Sequence, residues 1–412
     1  MSTALRCGLI KASALAGTVL AVLSIPSGAN AQCSDNTGLV LAAGLPVQTI
    51  YPLGVGNSLN ALLSTINTVN TAFLTNTASF VSAPGGATAN QQSGGVWGRT
   101  VAGYVDTKAT STSDIFLSSG PTTGKGTCTG TVHQEYVGSQ FGFDLGTLNI
   151  GGNGGNLHFG ITAGYFNSKS KDLTGPGEPS VVALYTIPDG KLNIDSQVPF
   201  AGLYAVLTQG GFFADTQVRF DVYKNTLTDA SNGLAAQGLD ARGIAVTGNV
   251  GYNFKLPSDW FVEPSVGGVW SRASVDNFTG PGVNALRPGF APLLLGQGTV
   301  QFDDIESLLG RASLRMGTTV TSGNYIWQPF ATASVFHEFA SSAKAKTEVA
   351  SGFNAGSTLD IATERVGTYA QFGLGTGVVF GNSGWLGYGR VDYKTGENVE
   401  GVNVNVGFRH QW

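Results

Sequence analysis

Apolar and polar residues alternate with a period of two along most of the chain after Val96, in segments of about ten to fifteen residues that end at Gly, Asn, Asp or Pro. In one segment small or apolar residues share one face and polar residues share the other, namely Ala214, Thr216, Val218, Phe220 and Val222 against Asp215, Gln217, Arg219 and Asp221. Residues 244–255 and 402–412 repeat the pattern. The period predicts β-strands that each have one apolar and one polar face.

The number and length of these segments favour a membrane barrel over a soluble sandwich. Alternation alone fits both classes, since a soluble antiparallel sheet also has one wet face. A sandwich strand averages about 5–6 residues, whereas a strand that crosses the outer membrane needs about 9–11, and these segments reach the longer length. The twelve predicted strand cores begin near Val96, Tyr136, Asn156, Val198, Phe212, Ala241, Trp260, Leu308, Ile326, Val366, Trp385 and Val399.

The connections between the strands alternate in length. The short connections are residues 147–155, 209–211, 256–259, 321–325 and 381–384. The long connections are residues 107–131, 168–197, 225–240, 273–307 and 340–364, and only the connection 394–398 is short where a long one is expected. Bacterial outer-membrane barrels have short periplasmic turns and longer extracellular loops, so the alternation predicts an antiparallel barrel in the bacterial outer membrane with its long loops outside.

Tryptophan positions support the same orientation. Trp97, Trp260, Trp327 and Trp385 open odd-numbered strands, and Trp412 closes the last strand. Indole rings favour the boundary between lipid and water. We therefore expect these five residues at the periplasmic edge of an outer-membrane lipid band.

The first 31 residues have the features of a secretory signal. Arg6 and Lys11 precede an apolar core at residues 12–25, and Ala29-Asn30-Ala31 offers a cleavage site between small residues. Export by the Sec machinery would leave Cys33 and Cys128 in an oxidising compartment. A disulfide between them is a hypothesis, and two free thiols are the alternative.

A long uncharged segment precedes the strands. Residues 36–98 contain no Asp, Glu, Lys, Arg or His, although a solvated linker would normally carry charge. Leu59, Leu62, Leu63, Ile66, Val69 and Phe73 recur there at helical spacing, opposite Asn57, Asn60, Asn67 and Asn70. The pattern predicts a helix over residues 56–80, followed by a Gly-rich loop at 82–95. A small helical hairpin packed on another domain is one interpretation, and a helix enclosed by the strands is the other.

Composition excludes several functions. Charged residues make up 12% of the chain, and the formal net charge of −4 provides no basic field, so we expect no nucleic-acid partner. After removal of the signal the histidines are His133, His158, His337 and His410. They form no zinc spacing with cysteine and accompany no Gly-x-Ser-x-Gly motif. We therefore expect neither catalysis nor a cofactor.

Several segments together resemble the C-terminal translocator domain of autotransporter proteins, over about residues 56–412. They are Val96-Trp97-Gly98-Arg99, Trp260-Phe261-Val262-Glu263-Pro264, Ile326-Trp327-Gln328-Pro329-Phe330, His337-Glu338-Phe339 and the ending Gly407-Phe408-Arg409-His410-Gln411-Trp412. The resemblance implies an all-β fold, a 12-stranded antiparallel transmembrane β-barrel with an N-terminal α-helix in the pore. It also implies that the barrel-assembly machinery reads Phe408 and Trp412 as an assembly signal.

The resemblance divides the chain into a signal peptide at 1–31, a short passenger-like segment at 32–55, a pore helix with linker at 56–95 and the barrel at 96–412. It implies that the polar strand faces line the lumen. Candidate lumen-lining residues are Asp215, Arg219, Asp221, Glu263, Arg311, Arg315, Arg390 and Asp392. Alternatively, these charges pair only with one another or form a solvated face.

The function expected from the resemblance is anchoring and exposure of the N-terminal segment and of the surface loops, without chemistry. One alternative is a porin-like channel in which the helix is a plug. Another is an adhesin that binds a surface ligand of unknown identity through residues 168–197 and 273–307, loops that are rich in Gly and Pro and carry few charges.

Overall fold

Twelve long strands form a closed antiparallel barrel in the computed structural model of the chain. They are β1 (Gln91–Leu117), β2 (Gly120–Ile150), β3 (Gly155–Asp172), β4 (Asn193–Gln209), β5 (Phe212–Asp229), β6 (Leu234–Tyr252), β7 (Trp260–Val275), β8 (Ile305–Thr318), β9 (Tyr325–Glu338), β10 (Thr368–Phe380), β11 (Trp385–Gly396) and β12 (Val399–Gln411). Each strand pairs with the next, and β12 returns to β1 in a register that runs from Val399 opposite Thr107 to Gln411 opposite Gly95. The prediction of twelve strands is confirmed.

The structure describes residues 31–32, 39–42, 45–48, 50–74, 87–117, 120–173, 181–182, 185–186, 190–286, 289, 291, 293–350, 356–381 and 383–412. The predicted signal peptide, except Ala31, and Cys33 lie outside these residues.

One α-helix, α1 (Ile50–Ala72), precedes the barrel, and a 3₁₀ turn (Ala230–Asn232) joins β5 to β6. The remaining elements are short strands: Ala31–Gln32, Leu39–Ala42, Leu45–Gln48, Val181–Val182, Tyr185–Thr186, Phe254–Lys255, Phe278–Ala285, Leu293–Phe302, Val320–Ser322, Ala343–Val349 and Thr358–Thr363. Among the described residues, no helix is both long and apolar enough to cross a lipid bilayer.

Strand connections are short at one end of the barrel and built from β-hairpins at the other, and we call these the short-turn end and the hairpin end. The sequence pattern predicts long loops at the hairpin end, but much of this chain is paired. The pairing of β1 with β2 continues to Leu117 opposite Gly120. Phe278–Ala285 pairs with Leu293–Phe302, and Phe302 lies opposite Ala345. Ser, Thr and Gly are frequent in much of these segments, so few apolar residues mark every second position in the sequence. The backbone nevertheless forms paired strands.

Most large side chains on the outer face of the barrel are apolar and exposed, as the alternation predicts. Trp260, Trp327, Trp385 and Trp412 are among these exposed residues near the short-turn end. The expectation for Trp97 is wrong, because its side chain points inward and is buried. Its indole N–H donates to the Tyr204 hydroxyl over 2.6 Å. Side chains alternate between the two faces of β1, and Trp97 stands at a position that faces the lumen. This alternation decides the direction of the side chain, despite the general preference of indole for the interface.

The helix α1 is enclosed by the barrel. Almost every side chain from Ser58 to Leu74 is buried, on the asparagine face as well as on the leucine face. The pattern predicts a helix over 56–80, whereas α1 begins at Ile50 and ends at Ala72. The earlier start includes Pro52, which is tolerated in a first helical turn. The helix ends earlier than predicted at the point where side chains of the barrel wall donate hydrogen bonds to the carbonyls of Phe73 and Leu74.

The lumen near the hairpin end contains large apolar side chains among its polar ones, although the sequence analysis assigns polar faces to the lumen. A buried cluster that we call the apolar collar surrounds the leucine face of α1. It includes Val105, Val132, Ile194, Leu227 and Leu239 from five different strands. An uncharged helix loses little hydration free energy in such surroundings, whereas an ionic helix would lose a great deal.

Replacing Leu62 by Ala tests the collar, since this helix residue is only 2% exposed. We expect the free energy of unfolding to fall by about 2–5 kcal/mol, because the lost methyl groups leave a cavity. Leu203→Ala is the matched control, since Leu203 is 62% exposed on the outside of the barrel. Urea unfolding of the refolded barrel in micelles, followed by tryptophan fluorescence, measures both variants. Equal losses would contradict a packed collar.

Candidate functional site in the barrel lumen

The polar face of α1 pairs with a glutamine from the barrel wall. The Gln134 amide oxygen accepts hydrogen bonds from Ser64 over 3.1 Å and from Thr68 over 2.8 Å, and its Nε2 donates to Thr65 over 2.8 Å. Closer to the hairpin end, Asn60 donates to the carbonyl of Gly130 over 3.5 Å. These pairs meet the hydrogen-bonding needs of a helix that is removed from water.

Three arginines surround the C-terminal end of α1, and we call them the arginine ring. Each donates to a backbone carbonyl: Arg99 to Phe73 over 2.6 Å, Arg219 to Val69 over 3.5 Å and Arg311 to Leu74 over 3.4 Å. The last carbonyls of a helix lack partners within the helix and carry the negative end of its dipole. Cations from β1, β5 and β8 therefore stabilise this end from different sides of the lumen.

Further hydrogen bonds hold Arg219 in position. Its guanidinium makes two hydrogen bonds to Asp221, of 2.6 and 3.1 Å, and a third of 3.0 Å to the side-chain oxygen of Asn70 in the helix. Asn70 in turn donates to Ser271 of β7 over 2.9 Å. Arg219 and Asp221 are both almost fully buried, so water does not solvate their charges. Each charge instead offsets the cost of burying the other.

Arg311 is linked to a second carboxylate through an amide. Its Nη2 donates to Asn249 over 2.9 Å, and Asn249 donates to Asp215 over 2.9 Å. Lys394 adds another contact to the helix, because its ammonium group donates to Thr71 over 3.2 Å. Contacts with the last turns of α1 therefore come from many strands of the barrel.

The remaining sequence candidates lie beside a cavity of about 80 Å³ whose lining includes Glu263, Arg315 and Arg390. Arg315 donates to Glu263 over 2.8 Å, and its guanidinium lies between the rings of Phe261 and Phe330 at 5.1 and 5.2 Å. Arg390 donates over 2.8 Å to Asp392, which also accepts from Asn403 over 3.0 Å. The structure thus brings Arg219 and Arg311 to the helix and pairs Arg315 and Arg390 with carboxylates.

A buried network, which we call the seam network, crosses the junction between the last and first strands. Asp144 of β2 accepts two hydrogen bonds from Arg409 of β12, of 2.7 and 2.8 Å. It also pairs with His158 over 2.9 Å and accepts from Tyr204 over 2.7 Å, and Tyr204 accepts from Trp97. All five side chains are buried. The network joins β12 to β1, β2, β3 and β4.

Gly95 of β1 allows this crossing. A Cβ atom at this position would lie 2.6 Å from a terminal nitrogen of Arg409, which is closer than such atoms approach. The missing side chain therefore opens a path over β1 from Arg409 to Asp144. Sequence reasoning places Arg409 on the polar face of β12 without identifying this role, because the pairing depends on strand register.

The predicted assembly signal lies on the outer face at the short-turn end. Phe408 and Trp412 are exposed, and the Trp412 backbone exchanges hydrogen bonds with Gly94 of 3.0 and 3.2 Å. Recognition of these residues by the assembly machinery stays a prediction. The Cys33–Cys128 disulfide also stays a prediction, since Cys33 lies outside the described residues. Ala31–Gln32 is parallel to Cys128–Thr129 in β2.

Across the part of the chain that the structure describes, no group of three or more His, Cys, Asp or Glu residues is placed to hold a metal ion.

The seam network makes a quantitative prediction, because the chain also contains an exposed pair of the same residue types. The side chains of Arg409 and Asp144 are 1% and 0% exposed, and those of Arg272 and Asp304 are 53% and 34% exposed. We expect Arg409→Met to lower the free energy of unfolding by about 3–5 kcal/mol, because it leaves a buried carboxylate without its cation. Arg272→Met should cost less than about 1 kcal/mol.

Urea unfolding in micelles measures both variants. Adding Asp144→Asn to Arg409→Met should recover part of the loss, since a neutral amide does not need a cation. Similar losses for Arg409→Met and Arg272→Met would show that the buried pair contributes nothing special.

Comparisons with known proteins agree with this architecture. Residues 96–392 match the family model of the autotransporter beta-domain. The BrkA autotransporter of Bordetella pertussis is 26% identical over 276 residues, which are 66% of this chain and 23% of that protein, so the chain spans about a quarter of its relative. The transport unit of the autotransporter AIDA-I from Escherichia coli shares the fold, with a TM-score of 0.58 and 14% identity over 87% of this chain and 99% of that one. The chain belongs to the autotransporter beta-domain family, whose barrels lie in the outer membrane.

Proposed function

We propose that this outer-membrane barrel anchors an N-terminal segment and exposes it at the cell surface by holding the connecting chain inside the lumen. The observation that carries the proposal is the path of α1. Its C-terminal end contacts the arginine ring, and Asn60, more than two turns earlier, contacts Gly130 nearer the hairpin end. On the other side, Asn90 is hydrogen-bonded to Asn149 at the short-turn end over 3.0 Å. Asn60 therefore lies nearer the hairpin end than Asn90 does, and the C-terminal end of α1 lies between them.

The orientation expected of an outer-membrane barrel supports a surface position for the N-terminal segment. Short turns of outer-membrane barrels face the periplasm, and longer connections face the exterior. Gln32, the first residue after the predicted signal peptide, pairs with Thr129 in the part of β2 beyond Gly130 and so also lies towards the hairpin end. On this arrangement the residues before α1 and the hairpins are presented on the same side of the membrane.

An epitope tag between Asp35 and Asn36 tests the proposal. In intact cells we expect antibody to bind this tag as well as it binds a control tag near Gly282, in the hairpin Phe278–Ala285. The readout is antibody binding before and after the outer membrane is made permeable. A tag at Gly282 that is accessible, together with a tag at residue 35 that becomes accessible only after permeabilisation, would place the N-terminal segment in the periplasm and refute threading.

A plugged channel is the second candidate, and the apolar collar is the observation that favours it. The collar and the arginine ring contact α1 on many sides, so the helix occupies the path that ions would use. A channel role would therefore require that α1 leave the lumen.

Deletion of residues 57–80 tests whether α1 is the plug. We expect low conductance in planar bilayers from the whole protein and larger, stable conductance steps from the deletion variant, because the deletion removes most of α1 and none of the twelve barrel strands. Retention of heat-modifiable migration in gels shows that the variant is still a barrel. Unchanged conductance in a barrel that passes this check would exclude the plug.

A further inference from the structure

The apolar outer face of the barrel ends in a row of polar residues towards the hairpin end. On β3, Lys169 and Lys171 lie nearer the hairpin end than the exposed Tyr165. In the same way, Lys224 lies beyond the exposed Val222 on β5, and Arg242 lies beyond the exposed Val246 on β6. All four cations have exposed side chains. We call Lys169, Lys171, Lys224 and Arg242 the basic face.

Charges in this row are distributed unevenly around the barrel. Outward carboxylates at corresponding heights on other strands are Glu306 on β8, Glu400 on β12, Asp106 on β1 and Glu135 on β2. Glu135 lies directly opposite Lys169 in the register of β2 with β3. The outward surface of β3 to β6 therefore carries four cations with the carboxylates Asp195 and Asp240 among them, and the row on the remaining strands is richer in carboxylates.

The cations of the basic face lack partners within the protein. In the described part of the chain none of the four makes an ion pair or a side-chain hydrogen bond. Carboxylates are nevertheless near, since Glu135 and Asp195 lie opposite Lys169 on its two sides and Asp240 lies opposite Lys224 in the strand register.

Two other cations of the row have carboxylate partners. Arg272 on β7 pairs with Asp304 over 2.5 Å, and His133 on β2 contacts Asp106 over 2.5 Å. The basic face therefore groups four cations without ion pairs on the adjoining strands β3 to β6, whereas Lys108, which also has no ion pair among the described residues, lies apart from them on β1.

The dimensions of the basic face suit a headgroup with more than one phosphate. Neighbouring strands are about 4.8 Å apart, so β3 and β6 are separated by roughly 14 Å along the surface. Lysine and arginine near a membrane surface attract anionic lipid with about 1 kcal/mol each. Asp195 and Asp240 fit the same layer, because Mg²⁺ and Ca²⁺ are held jointly by carboxylates and phosphates.

We propose that the outward surface of β3 to β6 binds the phosphorylated headgroup of an outer-leaflet glycolipid through Lys169, Lys171, Lys224 and Arg242. The apolar residues below the basic face would contact the acyl chains, as they do with any lipid. The inference rests on the proposed orientation, since only then does the hairpin end face the outer leaflet.

The test compares two variants that remove the same charge. The first is the full chain with K169Q, K171Q, K224Q and R242Q, and the second carries K108Q, K125Q, K344Q and K346Q, four exposed cations that lie elsewhere at the hairpin end. The probe is bisphosphorylated lipid A added to the purified barrel in uncharged micelles, with bound lipid counted by native mass spectrometry. Heat-modifiable migration confirms that each variant is folded.

We expect the first variant to bind the lipid at least tenfold more weakly than the unmodified chain and the second to bind it within twofold. The binding should also weaken with lipid A from which both phosphates have been removed. An equal loss in both variants would show that only net charge matters, and no loss in the first would remove the site. Equal affinity for inorganic phosphate would also overturn the assignment to a lipid.

This experiment is independent of orientation, because micelles have no sidedness. Lipid binding that persists while the tag at residue 35 is periplasmic would refute threading without refuting the phosphate site. Loss of lipid selectivity with a surface-exposed tag would refute the phosphate site alone.

Discussion

Closure of the sheet is the constraint on which the rest of the structure depends. Within hydrocarbon there is no water to pair with a free strand edge, so each unpaired N–H or C=O would cost several kcal/mol. The register between β12 and β1 removes both edges, from Val399 opposite Thr107 to Gln411 opposite Gly95. Arg409 strengthens the same junction from inside, because it reaches across β1 to Asp144, and Gly95 leaves the space that this side chain requires.

A closed barrel of twelve strands encloses a lumen, and the chain fills it in two ways. Near the hairpin end the apolar collar packs on the leucine face of α1, where burial is favourable and few polar groups need partners. The helix ends nearer the short-turn end, and burying its last carbonyls without hydrogen-bond donors would cost free energy. Arginine suits this position, because its guanidinium remains charged and can donate to a carbonyl and to a neighbouring side chain at once, as Arg219 does with Val69 and Asp221.

Sequence reasoning was strongest where one interaction dominates. Lipid on one face imposes a period of two, so the strand number, the antiparallel order and the exposed positions of residues such as Phe220 follow from the pattern. It failed where tertiary contacts decide. The end of α1 depends on arginines that lie far away in sequence, and the link between Asp144 and Arg409 spans 265 residues and requires the exact strand register. Trp97 was misplaced for another reason: its position at the start of a strand suggested an interfacial ring, whereas the alternation along β1 turns its side chain into the lumen.

Charge has a different role in each environment of this barrel. In the lumen, water is scarce, so Arg219 with Asp221 and Arg315 with Glu263 form pairs that limit the cost of burial. On the acidic side of the outer row, exposed pairs such as Arg272 with Asp304 cost little and contribute little. The basic face fits neither case, because its cations are exposed and have carboxylates opposite them without pairing. A long lysine side chain at a membrane boundary extends towards the headgroups while its methylenes remain in the apolar layer, so the partner that completes this charge pattern belongs to the membrane.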